Sequence, residues 1–412
     1  MEKSITIIGG GVIGLSLAYA LIKDGQKVIL LDQADGIGTG ASYANGAQLS
    51  YRYVSPLADQ GVILQGLKWL GQSDSPLNLR IKPSLTQWQW LWQFARACSR
   101  KTNQINGAHI LRLSLLSQSV LTDWREQDAL DDFCWQRSGK MIIHRTQKDF
   151  DQAAAGIDPK FQSILTPDEI VQKEPSLAHI RDQLSGAIYA PNDETADAYL
   201  YCQALLNKLN ASPKFTLHTQ TRVEDIFQQK GMVTHIVTNH GSMSVDEVVV
   251  AAGNGARKLM TPLGIELPIY PLKGYSLTLP FPQESHCVPT TSVTDYGYKT
   301  VYAKLGDRLR IAAMVDIGYD NGVRDNRIRA LKNIVQQTFP NLYGVESADV
   351  WAGLRPSTPK GPPIIGQTHY HNLWLNVGHG SLGFTLAAGS AAVLSQLIQH
   401  KSSPIDLTGL TL

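Results

Sequence analysis

The sequence predicts an α/β chain of two domains: a Rossmann-like nucleotide-binding domain, and a substrate domain with a mixed or antiparallel sheet and helices. Three observations predict it. Residues 4–32 run as strand, glycine turn, helix and second strand; residues 373–400 repeat the strand–glycine–helix order; and residues 268–314 between them carry alternating strands of another kind. Because the two similar segments lie at opposite ends, the first domain is expected to be discontinuous. Residues 1–52, 191–262 and 346–412 are assigned to it, and residues 53–190 and 263–345 to the second.

The elements follow in order. Residues 4–8 are continuous and β-branched, as a strand buried on both faces requires. Residues 15–23 form an apolar helix that Gly25 stops, and 28–31 a second buried strand. Residues 36–46 are rich in turn formers and read as a functional loop. From about 60 to 130 the pattern is helical and rich in tryptophan. Residues 139–145 read as a strand, and 197–209 as a helix capped by Asp197. Residues 215–219, 232–238 and 245–251 are expected to form one β-meander ending in glycines. Strands follow at 268–279, 298–304 and 308–314, then strand 373–377 and helix 384–400.

Bulk properties narrow the function. Apolar residues make up 43% and charged residues 17%, which excludes a disordered chain. With 37 basic against 35 acidic side chains the formal charge is +2, so no field draws in nucleic acid. No apolar run approaches a membrane span. The N-terminal strand lacks a basic n-region or cleavage site. Cys98, Cys134, Cys202 and Cys287 are scattered, as expected of a reduced, cytosolic protein. No metal site is expected.

Three glycine-rich blocks carry chemistry. In Gly9-Gly10-Gly11-Val12-Ile13-Gly14, Gly9 permits the tight turn, Gly11 admits a pyrophosphate, and Gly14 lets helix and strand pack closely. The helix N-terminus then offers N–H groups to phosphate. Asp32 closes the second strand, 18 residues after Gly14, where its carboxylate can accept from a ribose and would repel a phosphate. A second fingerprint fails, because Lys258 stands where residues 248–255 would need a third glycine. One dinucleotide is therefore expected. The second block, Gly353-Leu354-Arg355-Pro356, holds an arginine between glycine and proline in a rigid loop, a good fork for a carboxylate. A surface arginine in a turn fits the same pattern. The third, Gly378-His379-Gly380-Ser381-Leu382-Gly383, again joins strand to helix and leaves room for a flat ring. His379 is expected to serve through its backbone.

With these blocks, and with Ser42-Tyr43-Ala44-Asn45-Gly46-Ala47-Gln48, residues 191–197 and residues 271–277, the chain resembles bacterial FAD-dependent D-amino-acid dehydrogenases, within the D-amino-acid oxidase/glycine oxidase family. The resemblance runs over nearly the whole chain. It implies FAD at Gly9, Gly11, Val12, Ile13, Gly14 and Asp32, with Ser42, Asn45, Gly46 and Gln48 along the flavin. Val223, Ala252, Gly253 and Gly353 would lie beside the cofactor, and Gly378, Gly380, Ser381, Leu382, Gly383 and Thr385 near its ring system. Arg355 becomes the carboxylate ligand, and Tyr298 and Tyr302, on a strand facing the flavin, position substrate. Retention of Tyr302, Ala388 in place of the usual cysteine, and a shortened tail depart from the dehydrogenase pattern.

The implied reaction takes a hydride from Cα of a D-amino acid to flavin N5, with hydrolysis of the imino acid to a 2-oxo acid and ammonia. Electrons would pass to quinone or another respiratory carrier, in the cytoplasm or on the inner face of the membrane. Trp69, Trp88, Trp90 and Trp92, followed by Arg96, Arg100 and Lys101, suit peripheral contact with headgroups; tryptophans packed on the second domain fit as well. Rival readings are an oxidase of glycine or sarcosine, a proline-type dehydrogenase, and a flavin-binding subunit without catalysis.

Overall fold

The computed structural model describes residues 3–69, 75–281 and 287–412, without the side chains of residues 65 and 67–69. The side chain of Trp69 therefore lies outside the described residues. A six-stranded sheet runs in the order Ile364–Gln367, Leu373–Val377, Glu247–Val250, Ser4–Ile8, Lys27–Leu31, Phe215–His218, parallel throughout except for the first. The chain leaves Ser4–Ile8 to one side and returns on the other, which opens a crevice at the carboxyl ends of these strands. Helix Val12–Lys23 is apolar on nearly every side because it is wedged between helices Ala198–Asn210 and Gly383–Ile398. Asp197 caps the former, accepting from the backbone of Tyr199 and Leu200 at 2.9 and 3.2 Å.

Two expectations are corrected here. The segments predicted as one meander separate: Phe215–His218 and Glu247–Val250 join the parallel sheet, while the meander consists of Val223–Gln229, Met232–Thr238 and Gly241–Ser244. The overlooked signal is Lys230-Gly231, both at positive φ (52° and 81°), which closes a tight hairpin. One stretch, Gly380–Ile398, is long and apolar enough to cross a membrane by composition, contrary to the reading above; two-thirds of it is buried in the core. Its helix packs on Val12–Lys23 and Arg100–Asp128, so its apolarity is that of a helix surrounded by protein.

The second sheet is mostly antiparallel, in the order Asp349–Ser357, Tyr270–Pro280, Arg308–Ile317, Thr300–Leu305, Ser292–Asp295, Lys140–His144, Gly186–Ala190, Ser163–Leu165, with Leu77–Leu79 also on Arg308–Ile317. Strand Asp349–Ser357, expected in the nucleotide-binding domain, is thus the edge of this sheet, paired along its length with Tyr270–Pro280. Its back face packs Tyr275, Leu277, Tyr302 and Ile311 against Leu331, Ile334 and Val335 of helix Asp325–Thr338. Its front face meets the crevice.

The tryptophans divide. Trp90 is core, donating its indole N–H to the Ser357 carbonyl at 2.9 Å, whereas Trp88 and Trp92 are exposed on the outer side of helix Leu85–Ala97.

Candidate active site

The glycine fingerprint is enforced by contact. A Cβ on Gly14 would lie 1.9 Å from the Gly9 carbonyl oxygen, and one on Gly9, at φ +116°, 2.6 Å from that of Ala251. Gly11 differs: the nearest atom to its missing Cβ is Ser42 Oγ at 3.5 Å, so space stays open above the helix N-terminus. Ser42 Oγ accepts from the Val12 N–H at 3.1 Å, and Ile13 follows in the first turn. Asp32 accepts from Gly10 N–H at 2.5 Å and from Ala34 N–H at 2.8 Å, locking the glycine turn while keeping lone pairs free on both oxygens. Val223 packs with Ile8, Leu31 and Val250 beside the same strand ends. Ala252 and Gly253 begin a short 3-10 turn after Val250. Gly378 and Gly380, at φ +81° and +56°, carry the chain from Leu373–Val377 through Ser381 and Leu382 into the helix that starts with Gly383 and includes Thr385.

The loop of Ser42 to Gln48 lies between this crevice and the front of the second sheet. Ser276 donates to the Ala44 carbonyl at 2.7 Å, Arg310 to that of Asn45 at 3.0 Å, and Gln48 Nε2 to Ser292 Oγ at 2.6 Å. Gly46 sits on Val301, where a Cβ would come within 3.2 Å. Thr385 Oγ1 reaches the Gln48 carbonyl at 3.4 Å from the other wall.

Arg355 stands on that front face, in a strand and not in the rigid loop that its glycine and proline neighbours imply. Pro356 is tolerated because the strand is an edge. The side chain lies flat over Gly274, whose missing Cβ would be 2.2 Å from Nη2, and Nη1 donates to the Met314 carbonyl at 3.3 Å. Met314, at φ +67°, sits beside an irregularity in the pairing of Tyr270–Pro280 with Arg308–Ile317. Such bulges re-aim backbone groups beside functional sites. Among the described residues no carboxylate pairs with Arg355. Burial lowers its pKa to about 10, so it remains a cation at neutral pH.

Gly353 is corrected. It pairs with Gly274, and its space is filled by the Trp351 ring, 1.9 Å from where a Cβ would be, so no room remains there for a cofactor atom. The tyrosines are corrected too. In strand Thr300–Leu305, Val301 and Ala303 face forward, while Tyr302 points back onto Phe339, ring centroids 4.8 Å apart. Tyr298 precedes the strand and donates to Gln337 on the rear helix at 2.8 Å. Neither faces the crevice. His379 is buried, pushed down to about pKa 3 by its surroundings, and bonded to Ser390 Oγ at 2.9 Å, consistent with a structural side chain.

Sequence reasoning gave no role to Gly274, Trp351, Met314 or Lys140. An isolated glycine within a strand marks a close approach, and the facing pair Gly274 and Gly353 carries that signal; a bulge at a methionine carries none.

A profile described as FAD dependent oxidoreductase, of the DAO type, matches residues 4–397. The chain is 46% identical to D-amino acid dehydrogenase 2 of Pseudomonas aeruginosa, over 100% of this chain and 98% of that protein. It is 39% identical to a protein of the same description from Ralstonia nicotianae, over 97% of each. Among solved structures, glycine oxidase from Geobacillus kaustophilus superposes with a TM-score of 0.75 at 22% identity, covering 100% and 98% of the two chains. L-proline dehydrogenase from P. horikoshii gives 0.72 at 18% identity, covering 97% and 94%. The open space over Gly11, the carboxylate at the end of the second strand and the glycine-lined third block all fit a dinucleotide, and the chain belongs to the DAO family of FAD-dependent oxidoreductases.

Proposed function

We propose that this chain oxidatively deaminates a D-amino acid to a 2-oxo acid and ammonia, acting as a D-amino-acid dehydrogenase. The observation that carries the reading is a part-buried guanidinium with no acidic partner among the described residues, laid over Gly274 on the second sheet. Supporting it, the full-length relatives from Pseudomonas aeruginosa and Ralstonia nicotianae carry that description.

Gly9, Gly11, Val12, Ile13, Gly14, Asp32, Val223, Ala252 and Gly253 would hold the dinucleotide end of FAD. Ser42, Asn45, Gly46, Gln48, Gly378, Gly380, Ser381, Leu382, Gly383 and Thr385 would line its ring system. Bound FAD supplies the oxidant, taking two electrons as hydride. Arg355 supplies the anchor: it has already lost much of its hydration, so a bidentate carboxylate replaces water and fixes Cα relative to the crevice. Trp351 covers Gly353, the residue paired with Gly274 across the two strands, on the same face. No side-chain base is required, because a neutral amine releases the hydride directly.

The test is anaerobic bleaching of the flavin across D- and L-amino acids, with Arg355→Leu alongside. Leucine should lower kcat/KM by about 2–5 kcal/mol, since one half of a buried ion pair is lost, while flavin content is unchanged. Equal bleaching by variant and wild type would remove Arg355 from the site; no bleaching by any amine would favour a non-catalytic flavin subunit.

We further infer that electrons leave to quinone or another respiratory carrier at a membrane surface. Helix Leu85–Ala97 has no acidic residue and exposes Leu85 (75%), Trp88 (51%) and Trp92 (59%), with Arg96 stacked 4.6 Å from the Trp92 ring. Exposed Arg100 and Lys101 follow. That outer stripe suits an anionic headgroup zone. Flotation with anionic liposomes checks it, and protein left wholly soluble refutes it; rapid peroxide on admitting oxygen would favour an oxidase.

A further inference from the structure

A lysine ammonium is buried against the loop expected to run along the flavin. Lys140, 3% exposed, is on the front face of the second sheet. Its Nζ donates to Gln48 Oε1 at 3.1 Å and to Ser50 Oγ at 2.7 Å, and lies 4.6 Å from the Tyr53 ring centroid. Gln48 is thereby held at both ends of its amide, because Nε2 donates to Ser292 and Thr294 at 2.6 and 3.3 Å. Among the described residues Lys140 has no ion pair within hydrogen-bond reach. The acid that acts on it is Asp193, which accepts from the Tyr51 N–H through Oδ1 while Oδ2 has no partner. Burying a cation without a bonded anion is costly, and an uncharged side chain of similar length would fill the same volume. A cation kept there suits negative charge that develops beside it. A flavin ring gains such charge when it takes up two electrons.

We propose that Lys140 is a positioning residue for the cofactor: it fixes the Gln48 segment and, through its charge, makes the bound flavin easier to reduce. The inference rests on the reading that Ser42 to Gln48 line the flavin. Burial lowers the Lys140 pKa to about 8, which still leaves most of it protonated at pH 7.

The experiment compares flavin midpoint potentials, by anaerobic dye-linked titration of the holoenzymes, and FAD dissociation constants for wild type, Lys140→Met, Lys140→Arg and Gln48→Leu. Lys140→Met should lower the potential and raise the dissociation constant about tenfold, or about 1.4 kcal/mol. Lys140→Arg should restore most of the potential, which a purely structural role would not require. An unchanged potential and affinity in Lys140→Met, with a clear response in Gln48→Leu, overturns the role of Lys140 alone. Silence in both variants overturns the placement of the loop as well. Should Lys140→Met fail to fold, Lys140→Gln decides by the same readings.

Discussion

Gly274→Ala isolates the position of Arg355 from its chemistry. Gly274 lies within a strand and is absent from the positions of positive φ, so its backbone accepts alanine. The added methyl would meet Nη2 at 2.2 Å and Cζ at 2.6 Å. Ordinary carbon contacts begin near 3.5 Å, so the guanidinium must move by about 1.3 Å. The obstacle is the far end of a flexible side chain, so the fold gives way at little cost. Catalysis does not, because a misplacement of about 1 Å costs on the order of 10²-fold, or about 2.7 kcal/mol in the barrier. The assay is stopped-flow reduction by a D-amino acid under nitrogen, with FAD content and thermal melting measured on the same sample. We expect kcat/KM down about 100-fold, with cofactor and melting temperature held. A loss under about threefold would show that Arg355 works from another position, and the account of the carboxylate site would fail.

Tyr302→Phe should leave kcat/KM within about twofold, because the ring faces Phe339 behind the sheet; a drop beyond tenfold would place the hydroxyl in the site. Tyr302→Ala should instead lower stability by about 3–5 kcal/mol in urea unfolding, the cost of an emptied aromatic core position. His379 should make stability acid-sensitive. Its folded pKa of about 3 lies below the unfolded 6.5, so its contribution is complete above pH 6.5 and is lost as pH falls from 6.5 towards 3, at about 1.4 kcal/mol per unit. Between pH 6.5 and 5 that amounts to about 2 kcal/mol. His379→Asn should flatten the slope by this much, and equal slopes would contradict burial of a neutral ring.

What could be read from the residues, and what could not, follows from how local each determinant is. The fingerprint is local: Gly14 meets Gly9 and Asp32 meets Gly10 within a single strand–helix–strand unit, so their spacing alone specifies the turn and the acid at its edge. The substrate face depends on parity in a sheet buried on both sides. Where Val301, Tyr302 and Ala303 are all covered, hydrophobic alternation disappears, and nothing in the sequence says which neighbour faces forward. A shift of one residue exchanges Tyr302, which lies on Phe339, for Val301, which lies on Gly46. The strand that carries Arg355 is hidden for a related reason. Glycine and proline beside it suggest a loop, yet proline is compatible with an edge strand, and edge position depends on a partner about 80 residues away, Tyr270–Pro280. The bulge at Met314 that aims a carbonyl at Arg355 depends on the same long-range pairing. The chain thus keeps its cofactor grip in a short-range code and its substrate grip in a tertiary one. Changes in preference for the amino acid should accordingly arise on the second sheet and its facing loops, through residues such as Met314 and Trp351, with the glycine blocks left intact.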